Sequence, residues 1–460
     1  MAESGTAPTT RRFSPRAGLA GLGLRLRGLD LVGPIRDGVR IAQKAVQHTP
    51  AQKLHDAFIT LLAGARGLVE INTRLRSDPA LQAAFGRRGC AEQSVGQETL
   101  DACTAANVTE PERAVDAIYR RHSRGYRHDH TAAWQVLDAD MSGLPCGPKA
   151  ACATKGYFAK QRNRRGRQLG RAVASGYGEV VVDRLFPGTA QLTSALQPLV
   201  LAAEQTLALD EAKRARTILR VDAGGGSLAD VDWALQRGYQ AHGKDCSTQR
   251  AARLAASVTT WVEDPRTPGR QVGWVTEPAA QYVRPVRRIA VRCQKQRGDW
   301  GYGVIVSALQ PRDVILLTRQ PLDRVGDPEA VLLAYVYFYD RRGGACETAT
   351  KGDKQGLGLT KRNKKRFAAQ QMLMLLGTLA HNVLIWARHW LAPRCPRLAR
   401  YGLLRLVRDV AQISGFLTLD AAGRLAQVVF NRAAPLAPSL VAAWGALLAD
   451  DGIAVSLGET

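Results

Sequence analysis

The chain has 460 residues, 45% of them hydrophobic, enough for a sizeable core and for two or three domains. Lysine and arginine total 64 against 40 aspartates and glutamates, a formal charge of +24 that sets it apart from typical metabolic enzymes and points to a polyanionic partner. Of the two polyanions, nucleic acid fits better than an anionic membrane. The longest apolar stretch, residues 372–386, is shorter than a bilayer span and contains His381 and Asn382.

In chain order, residues 1–16 (MAESGTAPTTRRFSPR) lack the apolar centre of a secretory signal and are expected to be disordered. The 8 cysteines are scattered without a Cys-x-x-Cys pair, so neither a zinc site nor a disulfide framework is expected. Reduced thiols fit a cytoplasmic location best. Residues 17–130 read as a helical, polar and basic DNA-binding region. Within it, CAEQSVGQETLDACTAANV (90–108) puts Val95, Leu100 and Cys103 on one side of a short helix, with Gln93, Ser94, Gln97 and Glu98 on the exposed positions. That pattern suits the reading helix of a helix-turn-helix, and equally a plain surface helix of a bundle.

The texture changes over residues 131–249. WQVLDAD alternates as a strand, and GEVVVDRLFPG (178–188) is a β-branched run closed by Pro-Gly. LTSALQPLVLAAEQTLAL (192–209) has the helical period across Pro198. RTILRVDAGGG (216–226) is a strand running into glycines, and LADVDWALQRGYQ follows as a helix. Strands interleaved with helices predict a mixed α/β core.

Residues 250–334 interrupt that pattern as a β-rich insertion. SVTTWVE, RQVGWVTE, RRIAVRCQK, GVIVSAL, DVILLT and AVLLAYVYFYD read as a series of short strands, the last running on to residue 340. The core resumes over 335–395, with helix from about residue 345 to 391. In the tail, 396–460, GFLTLDAAGRLAQVVFN reads as a hairpin turning at 420–423, before a final helix.

Three places hold carboxylates suited to chemistry. Asp138 and Asp140 in WQVLDADMSGL project from one face of a strand, which is costly unless something cationic satisfies them. Asp222 ends an apolar strand where glycines admit a ligand, and the carboxyl ends of strands in open α/β sheets are where ligands sit. Glu347 starts a helical segment whose beginning would face the sheet. Converging, these acids make hard oxygen ligands for Mg²⁺ or Mn²⁺, and a pair of such ions activates a water or 3′-hydroxyl against a phosphodiester.

Plainer roles exist for each: Asp222 as a turn or helix N-cap, Asp138 and Asp140 as turn caps or arginine partners, Glu347 as an i,i+4 partner of Lys351. If the 347–354 stretch is helical, Glu347, Lys351 and Lys354 share a face. Lys361, Arg362, Lys364, Lys365 and Arg366 form a dense basic block just beyond it. A second run, KQRNRRGRQLGR (160–171), includes Arg164 and Arg165. Both runs suit phosphate contacts, and both suit a merely solvated face.

Three blocks carry a family resemblance: LDADMSGLPCG, ILRVDAGGGSLADVDWALQRGY, and YVYFYDRRGGACETATKGDKQGLGL with the later LAHNVLIWARHWL. They resemble bacterial insertion-sequence transposases of the DDE type, from the cut-and-paste branch marked by a Tyr–Arg–Glu–Lys signature. The resemblance implies a catalytic triad of Asp140, Asp222 and Glu347, with Asp140 preferred to Asp138 because Ser142-Gly-Leu continues the motif. The signature falls on Tyr339, Arg342, Glu347 and Lys354. The family keeps three residues between the Arg and the Glu where this chain has four, which leaves Arg341 and Arg342 both open. The resemblance further implies an RNase H-like core with a β-rich insertion, two Mg²⁺ or Mn²⁺ ions, and binding to terminal inverted repeats and target DNA as a homodimer in a synaptic complex. Trp300, in RGDWGYG, either stacks on a flipped base as in relatives or is an ordinary strand tryptophan. Two other functions remain on the same residues: a metal-dependent nuclease without strand transfer, and a silent DNA-binding derivative.

Overall fold

The computed structural model describes residues 10–459, apart from positions 45, 46, 159, 160, 162, 280, 297, 421 and 423. The chain divides into two units. The first comprises Met1–Ser123, Cys146–Ala151 and Ala349–Thr460, and the second comprises Arg124–Pro145 and Cys152–Thr348.

The first unit begins with strand β1 (Thr10–Ser14) and continues through helices α1 (Ala17–Gly28), α2 (Gly33–Gly38), α3 (Pro50–Leu62), α4 (Pro79–Ala84), α5 (Gln93–Asp101) and α6 (Ala105–His122). Residues 10–14 correct the expectation of disorder up to residue 16; residues 1–9 lie outside the described part. β1 is ordered because it pairs with a later strand, where Phe13 meets Phe416 edge-on at 5.7 Å and Arg11 lies 4.0 Å over the same ring. Close packing of α1 depends on its glycines. A Cβ at Gly18 would stand 1.9 Å from the Val410 carbonyl oxygen, and one at Gly23 would strike the Phe85 ring.

The second unit is built on a sheet that, among the described residues, has ten strands. They are β2 (Gln135–Pro145), β3 (Thr154–Lys155), β4 (Arg165–Ala174), β5 (Glu179–Pro187), β6 (Thr217–Val221), β7 (Gln240–Lys244), β8 (Val262–Glu263), β9 (Arg270–Trp274), β10 (Arg287–Gln294) and β11 (Trp300–Ser307). β5, β4 and β2 pair antiparallel, while β6 and β7 run parallel to β2. β11, β10, β9 and β8, the strands of the β-rich segment 250–334, then extend the core sheet from β7. Alternation along the strands serves two faces. Ile289 and Ile305 face a cluster with Val331, Tyr335 and Phe338, whereas Ala290, Val304 and Val306 face Val231, Leu235 and Leu254.

The helices of this unit are α7 (Leu192–Leu207), α8 (Glu211–Ala215), α9 (Leu228–Gln236), α10 (Thr248–Ala255), α11 (Pro311–Leu317) and α12 (Pro328–Asp340). The last two correct the strand assignments of DVILLT and AVLLAYVYFYD. A continuous apolar run cannot distinguish strand from buried helix by period, but the flanking residues can. Asp327 accepts hydrogen bonds from the Glu329 and Ala330 amides at 3.0 Å each, and Pro328 occupies the first turn. α11 starts with Pro311 in its first turn and with the Gln310 amide donating to Asp313 at 3.2 Å.

The chain then returns to the first unit within a helical stretch. α13 (Thr348–Gly356) is followed by α14 (Phe367–Leu391), α15 (Leu403–Leu406), strands β12 (Gly415–Leu419) and β13 (Leu425–Asn431), α16 (Ala437–Leu448) and β14 (Ala454–Gly458). The expected hairpin is β12–β13; positions 421 and 423 of its turn lie outside the described residues. It sits between β1 and β14 in a four-stranded sheet. α14 is long and apolar enough to cross a bilayer by composition alone, yet 94% of its apolar window is buried inside the protein. It packs against α6, α3 and α5 as a core helix.

Two histidines in these cores carry a pH prediction. Burial pushes His55 in the first unit and His242 in the second down to about 3. The unfolded chain then binds protons that the folded chain refuses, so stability is full above the ordinary histidine range and is lost as pH falls from ~6.5 toward about 3. Denaturant melts from pH 7 to 5 should show stability falling by up to about 1.4 kcal/mol per pH unit for each such histidine. His242→Gln should flatten that dependence; an unchanged slope would mean His242 takes up its proton equally in the folded and unfolded chain.

Candidate active site

The site grows from the point where the parallel pairing of two neighbouring strands ends: β6 stops there, and β2 runs on paired with β4. β2 and β6 are in register at Ala139 and Val221, so the next residues, Asp140 and Asp222, emerge side by side. Asp140 accepts a hydrogen bond from the Met141 amide at 2.8 Å, and its side chain is 21% exposed. Asp222 accepts from the Gly224 amide at 2.8 Å, which closes the glycine turn after β6. The turn-capping role and the site role thus belong to one side chain. Glu347 comes from the helical segment after α12, with a side chain 60% exposed.

Arg342 stands among these acids. Its Nη1 donates to Glu347 Oε1 at 3.1 Å, and its Nη2 lies 3.0 Å from Asp140 Oδ1. Nη2 and Nε are buried yet lack an aligned hydrogen-bond acceptor, so the Asp140 contact is an ion pair without hydrogen-bond geometry. The chain arrives at this arrangement through a π turn, Gly343–Glu347. A π turn accommodates one residue more than an α-turn, and it brings Arg342 and Glu347 together across the four intervening positions. The unusual spacing in the sequence therefore has a structural counterpart. Arg341, the alternative, points elsewhere and caps the carbonyls of Leu317 and, at 2.8 Å, Thr318.

The electrostatics agree with convergence. Burial raises the Asp140 carboxyl above its ordinary range; Arg342 opposes this, and the charges of Asp222 and Glu347 add to it. Burial also pushes the Tyr339 hydroxyl up to about 12, with Asp222 and Glu347 contributing. Arg342, disfavoured by burial, is kept charged by Asp140 and Asp222. The donors have the chemistry of a hard-cation site, being carboxylate oxygens, two of which add to the raised proton affinity of Asp140. As placed, no three His, Cys, Asp or Glu side chains among the described residues are gathered closely enough to hold one ion. In this arrangement the guanidinium supplies the positive charge.

Asp138 is not part of the set, which corrects its candidacy as a metal ligand. It is fully buried and binds Arg220 through both oxygens, at 2.6 and 2.8 Å, while Ser175 donates to it as well. Arg220 sits directly opposite on β6 and also donates to the Phe338 carbonyl at 2.6 Å. The sequence carried a cue that went unused: an arginine within the apolar strand ILRV, paired with an acid within WQVLDAD.

The basic runs are only partly available for DNA. Arg362 is 1% exposed and donates to the Leu357 carbonyl at 2.7 Å, lying so close to α14 that a Cβ at Gly377 would collide with it. Lys364 is half-buried and donates to Gln97 of α5, and Arg366 reaches the Asp101 carbonyl. These contacts correct the assignment of Arg362 and Lys364 to DNA binding. Lys361, Lys365 and Arg366 are exposed, as are Lys351 and Lys354, all in the first unit. In the second run Arg164 and Arg165 are exposed, but Arg167 is buried and Arg171 is locked to Asp183 at 2.7 Å; Lys160 and Arg162 lie outside the described residues. Arg362→Ala should lower thermal stability by about 1–3 kcal/mol, the cost of leaving a buried acceptor unpaired. Lys361→Ala should leave it within about 0.5 kcal/mol. Equal effects in thermal melts would count against the buried role.

Trp300 is half-buried on β11. The Arg292 guanidinium lies 4.5 Å over its ring and 4.1 Å over that of Trp261. This is the ordinary strand-surface environment, with the ring edge still accessible.

No protein-family model and no curated protein matches this chain. Among solved structures, a piggyBac transposase synaptic complex with hairpin DNA is similar over 86% of this chain and 79% of that one, at 12% identity and a TM-score of 0.45. A likeness that distant does not bear on function.

Proposed function

We propose that the protein is a transposase: a metal-dependent enzyme that binds the terminal inverted repeats of its own element, cleaves the DNA there and transfers the strand ends to target DNA. The observation that carries this reading is the meeting of Asp140, Asp222 and Glu347 around Arg342, one step past the last parallel rung of β2 and β6. These are the positions that the DDE resemblance assigns to the triad. The strand order β5-β4-β2-β6-β7, antiparallel then parallel, supports an RNase H-like core. α5 and α6, joined by residues 102–104, are compatible with a helix-turn-helix in the first unit.

On this reading the three carboxylates would hold divalent Mg²⁺ or Mn²⁺, which when bound supplies Lewis-acid polarisation of the scissile phosphate and a deprotonated oxygen nucleophile. The chain's own part would be to present carboxylate oxygen donors and to place Arg342 against the DNA. A guanidinium with unsatisfied N–H groups is suited to a phosphate oxygen, and turning to one would free the acids it now pairs. Tyr339 stays neutral at physiological pH and offers a hydrogen-bond donor beside the same phosphates. Binding as a homodimer that brings two element ends together follows from the family resemblance.

The test is incubation of the protein with the DNA flanking its own gene and Mg²⁺, resolved on denaturing gels. Cuts at the boundaries of short inverted repeats, followed by joined products with added target DNA, are expected. Cuts without joining would instead favour the nuclease reading, and neither product would defeat both.

A further inference from the structure

The sheet aligns a third residue with the two aspartates. β6 and β7 are in register at Val221 and Gly243, so Lys244 follows Asp140 and Asp222 across three successive parallel strands, each one step past the last parallel rung. The glycine turn after Asp222 packs directly on it: a Cβ at Gly226 would be 1.7 Å from the Lys244 carbonyl oxygen, and the Cys246 amide donates to the Gly226 carbonyl at 3.2 Å. Lys244 is thus fixed to the same turn that positions Asp222.

Its side chain has a prepared path. On the neighbouring strand β11, a Cβ at Gly303 would be 2.5 Å from the Lys244 Cε and 3.2 Å from its Nζ. Glycine in mid-strand weakens a sheet and marks a close approach, and here what approaches is the lysine stem. Lys244 is half-buried, and among the described residues no hydrogen bond or ion pair engages its ammonium. A half-buried ammonium left without a counter-ion among the described residues, on the strand next to the one that leads into Asp222, has the properties of a site for an external anion.

We propose that Lys244 contacts a DNA backbone phosphate next to the scissile position and positions the strand over Asp140 and Asp222. This rests on the reading of the site as a DNA-processing centre. It makes Lys244 a positioning residue, and Gly303 the residue that keeps its path open.

The experiment measures binding of a generic labelled duplex by fluorescence anisotropy at several salt concentrations, using full-length wild type, Lys244→Ala and Lys244→Arg. Each phosphate contact contributes about 0.9 to the slope of log K against log salt. Lys244→Ala should lower the slope by that amount with an unchanged thermal midpoint, and Lys244→Arg should restore it. Equal slopes for wild type and Lys244→Ala, with wild-type binding clearly salt-dependent, would overturn the role of Lys244 alone. Absence of any salt-dependent binding by wild type would overturn the underlying reading as well.

Discussion

Asp222→Asn should abolish Mg²⁺-dependent cleavage at the element ends while leaving DNA binding within a few-fold of wild type. The substitution keeps the shape of the side chain and leaves an oxygen to accept the Gly224 amide hydrogen bond, so the turn after β6 survives. What it removes is one unit of negative charge from the cluster that raises Asp140 and steadies Arg342. Loss of a charged ligand from such a site costs several kcal/mol of transition-state stabilisation, or about 10²–10³-fold or more in rate. Gel-resolved cleavage and anisotropy measured on the same preparation separate the two effects. Cleavage at the wild-type rate would remove Asp222 from the active site and leave it only its capping role.

Asp138→Ala should behave in the opposite way and act on folding. Asp138 is fully buried and neutralises Arg220, itself 3% exposed, through a two-pronged ion pair. Removing the acid strands a guanidinium between two central strands and leaves Ser175 without its acceptor. Breaking one partner of a buried pair typically costs about 3–5 kcal/mol, against whole-domain stabilities of ~5–15 kcal/mol. Thermal and denaturant melts should show a large loss of stability for Asp138→Ala. Asp140→Asn, at a side chain 21% exposed and outside that buried pair, should fold and fail in cleavage. A stable but inactive Asp138→Ala protein would return Asp138 to the catalytic set.

These two aspartates show where sequence reading works and where it stops. They stand two residues apart on one strand, so alternation puts both on one face, and nothing in WQVLDAD separates them. Depth along the strand does: Asp138 lies within the paired length of β2 and β6, opposite Arg220, while Asp140 lies one step past the last rung. Resolving them required the register, which is a pairing between distant segments. The same holds for Lys244, whose place beside the acids exists only through the β6–β7 alignment. The mixed α/β character, β2, β6, β10 and β11, and the β12–β13 hairpin were legible because their periodicities and turn residues are local.

The misread elements have equally physical causes. α12 is apolar on nearly every side because it is buried against the sheet, so its composition resembles a strand and only the Asp327-Pro328 start identifies it. Charge runs were overread because charge density does not reveal direction. Arg362 points into the first unit, where it donates to the Leu357 carbonyl, and Arg171 points into the second, where it pairs with Asp183 on the adjacent strand. The four-residue gap between Arg342 and Glu347 looked like a defect in a motif. As a π turn it is a device that lets both side chains meet.

The most direct test is a titration of Mn²⁺ followed by electron paramagnetic resonance, comparing wild type with Asp140→Asn, Asp222→Asn and Glu347→Gln. A common centre predicts that wild type binds the ion and that each of the three variants, correctly folded by circular dichroism, loses most of that binding. Retention of wild-type affinity in all three would contradict a shared site, and with it the assignment of phosphodiester chemistry to these acids.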